Sequence, residues 1–396
     1  MTSKSSKGGT RPERQPDRQY IQDDSVAEPE QEPAALPTSG PRKYINLDAT
    51  ASIDPTETLR NSRPVIGSTP KSEASSVHNA MAEHARVANY QIGEMVARGA
   101  ESVLYKATAD GALFCVKAIR NWLGRTIGKA ATRGNEGKLE DAAYRSKVRH
   151  LENEFQVGTQ LQEPGDIPIV RIHALRKVRR LGLEAGYDLL MEYIEGIDLG
   201  SKQASRQFST AEKINFLYQT ARALEYMHQR NYIHLDMKPS NVMITDNRVK
   251  LIDFGVTVPL GHKPRAVTGT AGFLSPEQIA RDYLTQATDL FALGVTFAVV
   301  FGASSLRQDA AELKSREVRA NAQFLLDNDE GTMLRTIPEL RDYPKIAEIL
   351  GRCTIPRRDR RYNDAGELAE HVRAAAEESG ITVRDLPGRQ AALPTD

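Results

Sequence analysis

Between Asn89 and Tyr193 the chain alternates short apolar runs with turn residues, whereas from Thr210 onward apolar residues recur at three- and four-residue intervals. This change of period constrains the fold more than any other feature. Strands gathered first and helices gathered later predict an α+β chain of two unequal lobes. Tyr90 and Ile92, then Val103, Leu104 and Tyr105, then residues 113–119 read as three antiparallel strands, separated by Gly99 and the turn pair Asp110-Gly111. Two further strand-like runs, 169–175 and 187–193, flank a basic cluster of Arg176, Lys177, Arg179 and Arg180. Ile214, Leu217, Tyr218, Ala221, Leu224 and Met227 mark a long amphipathic helix. The apolar run 290–301 falls short of the roughly 18 residues of a membrane span and reads as a buried core helix.

Outside these patterns the composition changes. Residues 1–85 are rich in Pro, Ser, Thr, Glu and Arg, with few aromatics, and are expected to stay disordered. Residues 121–150 form a polar, glycine-dotted insertion carrying Arg125, Lys129, Arg133, Lys138, Arg145, Lys147 and Arg149, with a helix expected from about Leu151. The organisation expected is a small lobe over 89–193, a large lobe over 197–379 and a flexible tail over 380–396. Lysine and arginine number 53 against 52 acidic residues, so no global field draws the chain to nucleic acid. Local charge is another matter, and the insertion at 121–150 is a candidate contact for an anionic partner. Cys115 and Cys353 match no metal-ligand or redox spacing and suit a reducing cytoplasm. The polar start carries no Sec-type signal peptide, so a cytoplasmic location is expected, and delivery into another cell as a secreted effector stays open.

The stretch richest in chemistry is His234-Leu235-Asp236-Met237-Lys238-Pro239-Ser240-Asn241, followed by Leu251-Ile252-Asp253-Phe254-Gly255. Its spacing resembles the catalytic loop and D-F-G element of the protein kinase family, in the style of bacterial members of its eukaryotic-like serine/threonine group. The resemblance implies a two-lobed fold, with a small antiparallel sheet plus one helix above a larger, mainly helical lobe. It also implies ATP as phosphate donor, Mg²⁺ (or Mn²⁺ in its place) as metal, and protein hydroxyls as acceptors. Asp236 would accept the hydroxyl proton, Lys238 would sit against the γ-phosphate, and Asn241 with Asp253 would hold the metal through oxygen ligands.

Val116-Lys117-Ala118-Ile119 is similar to the family's V-A-I-K strand, so Lys117 would reach the α- and β-phosphates. An inward lysine needs a carboxylate partner. Glu154 is favoured because it places Leu161 at the family's usual offset, with Glu152 as the alternative. In the expected phosphate loop, Val96 to Leu104 by resemblance, only Gly99 of the usual glycines remains. Val96, Gly99 and Leu104 would cover the nucleotide. Met191 would sit behind the adenine, and backbone groups of Glu192 and Ile194 would bond its edge. Gly269-Thr270-Ala271-Gly272-Phe273-Leu274-Ser275-Pro276-Glu277 resembles the family's substrate-docking segment, and Thr270 with Lys238 matches its serine/threonine branch. Glu277 would pair with Arg361, and Asp289 would anchor the catalytic loop.

Leu235 stands where the family commonly has an arginine that docks an activation-loop phosphate. Dependence on phosphorylation of Thr257 or Thr268 is therefore not expected. The 1–85 segment offers Thr50, Thr56, Thr58 and Ser62 as sites of autophosphorylation. Two other readings, a nucleotide-binding scaffold and a small-molecule kinase, are disfavoured by the complete polar set and by the docking segment, respectively.

Overall fold

The computed structural model describes residues 89–99, 102–120, 135–303 and 337–386. The 1–85 segment, the first part of the basic insertion (121–134), Ala100 and Glu101 of the expected phosphate loop, and the last residues of the tail (387–396) lie outside the described residues.

Five strands, β1 (Gln91–Arg98), β2 (Val103–Ala109), β3 (Ala112–Arg120), β4 (Ile172–Arg180) and β5 (Leu183–Glu192), make one antiparallel sheet in the order β1-β2-β3-β5-β4. Asp110 and Gly111 both take positive φ, 48° and 79°, which is the turn that suits the twist of a tight hairpin. The basic cluster does not lie between two strands, as its charge suggested. Arg176 to Arg180 belong to β4 itself, whose side chains alternate between the sheet's faces.

Helix α1 (Asn135–Leu161) packs against this sheet and is longer than the sequence suggested, beginning well before Leu151. Part of the expected insertion is thus helix. The many cations of 141–150 hid the apolar residues Tyr144, Val148 and Leu151, which recur at helical spacing; Val148 and Leu151 are buried, and the Tyr144 hydroxyl donates to Glu184 at 2.9 Å. Farther along, Gly158 sits so close to the sheet that a Cβ there would stand 2.3 Å from Ile172 Cγ1.

The sheet is joined to the rest of the chain by backbone bonds. Val170 donates to Leu251 O and Leu251 donates to Pro168 O, each at 2.9 Å. Beyond them lie α2 (Lys202–Gln207) and α3 (Thr210–His228). Two small sheets follow: β6 (Ile197–Asp198) with β8 (Val242–Thr245) and β9 (Arg248–Leu251), and β7 (Tyr232–Ile233) with β10 (Val258–Pro259). Among the described residues the large lobe also holds helices α4 (Pro276–Ala280), α5 (Gln286–Val300), α6 (Pro344–Cys353) and α7 (Ala365–Glu378). Ser209 and Glu212 cap α3 reciprocally, satisfying amides that the first turn leaves open. Helix α5 is apolar on all sides and is accordingly enclosed, with Gly294 admitting Cys353 and Thr354. Among the described residues no helix is long and apolar enough to cross a membrane.

Residues 381–386 depart from the expected flexible tail. Ile381, Val383 and Leu386 pack on the large-lobe core, Asp385 meets Tyr218 and pairs with Arg373 at 2.8 Å, and the Arg384 amide donates to Asn215 Oδ1 at 2.8 Å. Elsewhere in that lobe the Arg361 guanidinium is bidentate to Glu277, at 2.7 and 3.0 Å. It also donates to the carbonyls of Ala287 and Pro356 at 2.9 Å and of Ile355 at 2.7 Å, so the buried charges are fully engaged. Glu277→Ala leaves the arginine charge buried and unpaired, and urea unfolding should show a loss of about 3–5 kcal/mol.

Candidate active site

The site is assembled where β3, α1 and the chain after β9 meet. In β3, Lys117 pairs with Leu104 of β2 on one side and Leu189 of β5 on the other, which turns its ammonium toward α1. Its side chain is only 16% exposed, and its Nζ donates to Glu154 Oε2 at 2.7 Å and to Asp253 Oδ1 at 2.8 Å. Glu152, the alternative partner, is exposed. Burial alone would depress the Lys117 ammonium, yet the two carboxylates outweigh it and hold the group above the usual lysine range. Burial pushes the Glu154 carboxyl up to about 7 against the pull of Lys117. For Asp253, burial acts upward as well, but Lys117, helped by Lys238, holds the carboxyl down to about 2.

Asp253 takes a positive φ of 68°, and Leu235 one of 71°, a region that costs most side chains about 1–3 kcal/mol. Surrounding bonds hold both turns in place. Asp289, in the first turn of α5, accepts the amides of His234 and Leu235 at 2.8 Å and also faces His228 Nε2 at 2.8 Å. Gln278 Nε2 donates to the Leu235 carbonyl at 3.0 Å. The His234 ring lies edge-on to Phe254 with centroids 5.8 Å apart. Asn153 Nδ2 faces three carbonyls, those of Phe254, Gly255 and Thr257, at 2.9–3.2 Å.

Asp236 lies at the centre of a second cluster. Its Oδ2 accepts from Lys238 Nζ at 2.6 Å and its Oδ1 from Thr270 Oγ1 at 2.7 Å, while Lys238 Nζ also donates to Thr270 Oγ1 at 2.9 Å. Asn241 Nδ2 donates to the Asp236 carbonyl at 2.8 Å and to Oδ2 at 3.3 Å. With its amide nitrogen so engaged, Asn241 presents Oδ1 as the atom able to bind a cation. An ionised Asp253 and an amide oxygen are hard donors, which fit Mg²⁺.

The remaining expected residues line the region between sheet and large lobe. Met191 is buried in the core next to Glu192. The Glu192 amide donates to Arg171 O at 2.8 Å, so of its two backbone groups only the carbonyl can serve an adenine edge. Ile194 packs against the core, Leu104 is half-buried, and Val96 is half exposed at the end of β1. At the tip beyond β1, the Gly99 amide donates to Ser102 O at 2.9 Å.

Some contributors carried no signal in sequence spacing. Asn153 is a poor helix former set one residue before Glu154, and that low propensity on a core-facing helix was its only mark. His228 and Gln278 resemble ordinary helix residues until the fold brings Asp289 and Leu235 to them. Thr270, which in the sequence marks only the serine/threonine branch, bonds both Asp236 and Lys238.

Comparison with known proteins agrees with this geometry. The family model described as the protein kinase domain matches residues 90–372. An Aurora kinase from Eremothecium gossypii is 27% identical over 293 residues, covering 72% of this chain and 73% of the relative. An Aurora kinase from Candida glabrata is 30% identical over 233 residues, covering 50% and 64%, respectively. The serine/threonine-protein kinase PknG of Mycobacterium leprae is 30% identical over 219 residues, covering 54% of this chain but 25% of its own length. This chain thus spans less than two thirds of the latter two relatives. With a single family model spanning both lobes and every element of the site, the chain belongs to the protein kinase domain family.

Proposed function

We propose that the chain is a serine/threonine protein kinase that transfers the γ-phosphate of ATP to hydroxyls of protein substrates. The observation that carries this reading is the Lys117 ammonium held by both Glu154 and Asp253, a charge arrangement suited to phosphates and metal. The adenine would lie against Met191, the Glu192 carbonyl and Ile194, beneath Val96, Gly99 and Leu104, with Lys117 toward the α- and β-phosphates. Magnesium, held by Asn241 and Asp253, would supply positive charge to the phosphate oxygens. Asp236 orients the acceptor hydroxyl and takes its proton as the new oxygen–phosphorus bond forms and the bond to ADP breaks. Lys238, fixed between Asp236 and Thr270, offsets the charge spreading over the transferred group. Thr270, bonded to Asp236 and Lys238, matches with Lys238 the pattern of the family's serine/threonine branch. The similarity to the serine/threonine-protein kinase PknG supports this substrate class.

The finer parts of the proposal concern self-modification and regulation. Thr50, Thr56, Thr58 and Ser62 are acceptors tethered to the kinase domain. At the usual phosphate dock, Leu235 is enclosed with Ile233 and Leu284 and packed by Val256 and Val258. Thr257 is buried with its hydroxyl on His234 O at 3.2 Å. At the position of Leu235 this apolar surround offers a phosphate no cation to pair with.

Three measurements test the proposal. Incubation with radiolabelled ATP and Mg²⁺ should label a generic acceptor protein and sites within residues 50–62; Asp236→Asn should lower both by about a hundredfold or more, and absence of label from the native protein overturns the reading. Phosphatase treatment of the purified native protein should change turnover by less than about twofold, because no charge-assisted switch is removed. Finally, kcat/KM for ATP should fall as pH drops through about 7, since Glu154 then gains a proton while Asp253, held near 2, stays ionised. Glu154→Gln should abolish that acidic limb and lower kcat/KM by about tenfold to a hundredfold through misplacement of Lys117.

A further inference from the structure

Two features of the large-lobe face near Asp236 are left unused by the phosphoryl-transfer scheme. The first is a cavity of about 260 Å³ lined by Lys202 and Ser205 of α2, Lys238 and Ser240 of the catalytic loop, Phe273 of the docking segment and Val300 at the end of α5. No carboxylate lines it. Of its lysines, Lys238 is balanced by Asp236, and Lys213 is balanced by Glu339 at 2.8 Å, so Lys202 carries the uncompensated charge. The apolar wall gives a side-chain stem something to pack on, and the ammonium gives an anionic head a partner.

The second feature lies along the chain leading into Thr270. Lys263, Arg265 and Arg281 are exposed, and the segment that bears them is fixed in place. Arg281 Nη1 donates to Arg265 O at 3.4 Å, Lys263 Nζ stands 5.0 Å from the Tyr283 ring centre, and Gln278 Nε2 donates to Thr268 O at 3.0 Å. Among the described residues none of Lys202, Lys263, Arg265 and Arg281 forms an ion pair. Two carboxylates adjoin these cations. Asp198 accepts the Gly200 amide at 2.9 Å, and Asp282 follows Arg281 in the chain. Lys202 at the cavity and Lys263, Arg265 and Arg281 along the segment leading into Thr270 outnumber Asp198 and Asp282 beside them.

We infer that the acceptor segments taken by this site are acidic, with Asp or Glu within a few residues of the phosphorylated hydroxyl. The inference rests on the kinase reading and deepens it by naming the substrate class. Exposed charge pairs contribute modestly, roughly 1.5- to 5-fold each, so two or three together select acidic over basic flanks by about tenfold or more. Repulsion of lysine-bearing segments adds to the selection, and both effects fade as salt shortens the range of the field. In the chain's own residues 50–62, Thr56 stands between Asp54 and Glu57 and Thr58 follows Glu57; with Arg60 as its one cation the segment is net acidic and belongs to this class.

The test compares a peptide of residues 50–62 with the same peptide carrying lysine at positions 54 and 57, using the full chain at low salt. The native protein should phosphorylate the acidic peptide with at least about tenfold higher kcat/KM, mainly through KM, and the preference should shrink at high salt. Lys202→Glu and Arg265→Glu should each reduce that preference about fivefold or more and improve turnover of the lysine peptide, a gain that a misfolded variant does not produce. Equal or better use of the lysine peptide by the native protein overturns the inference, as does labelling of a generic basic protein with none on the acidic peptide. Absence of transfer to every peptide and protein instead overturns the kinase reading, and the inference with it.

Discussion

A lysine ammonium withdrawn from water is tolerated only where carboxylates meet it, and Lys117 sets that condition for the whole molecule. Strand β3 carries the charge into the interior of the small lobe, so α1 has to bring Glu154 and the chain after β9 has to bring Asp253. Three segments distant in sequence are thereby tied at one nitrogen. The backbone turns at Leu235 and Asp253 would be costly in isolation. They persist because Asp289, Gln278 and Asn153 engage the neighbouring amides and carbonyls. The arrangement is pre-organised in the free chain, which is what charge stabilisation during phosphoryl transfer needs.

The same structure separates what spacing along the chain discloses from what it hides. Lys117, Asp236, Asn241 and Asp253 stand out because each is a polar residue in a short, ordered motif, and the fold draws them together. The resemblance to the kinase family implied an arginine partner for Glu277, and offset pointed to Arg361. Strand and helix identity also followed from apolar period, as in α3, whose inward residues are Ile214, Leu217, Tyr218, Ala221, Leu224 and Met227. Contributions that depend on a tertiary partner left little trace. Charge density concealed the helical spacing of Tyr144, Val148 and Leu151, so the start of α1 was misplaced. Residues 381–386 looked like a solvated tail because Tyr218, Arg373 and Asn215, which hold them, are far away in sequence. Asn153 and His228 carry no motif at all.

Leu235 illustrates how one side chain changes the logic of a site. An arginine at this turn would need an anion; leucine is satisfied by the apolar residues around it, including Ile233 and Leu284. The segment leading to Thr270 is instead positioned by neutral contacts, among them Thr257 on His234 O and Gln278 on Thr268 O. Positive charge on that face is placed farther out, at Lys263, Arg265 and Arg281, where it meets solvent and incoming chains.

The close approach of Gly158 to Ile172 gives α1 a fulcrum. At about 1.5 Å per residue, Glu154 lies about 6 Å along the axis from this contact, whereas Asn135 lies about 35 Å away. A tilt about Gly158 therefore moves the far end about six times as far as it moves Glu154. Any such tilt is thus geared down about sixfold between Asn135 and the Lys117 ion pair. A larger residue at the fulcrum would prise α1 off the sheet and undo that gearing.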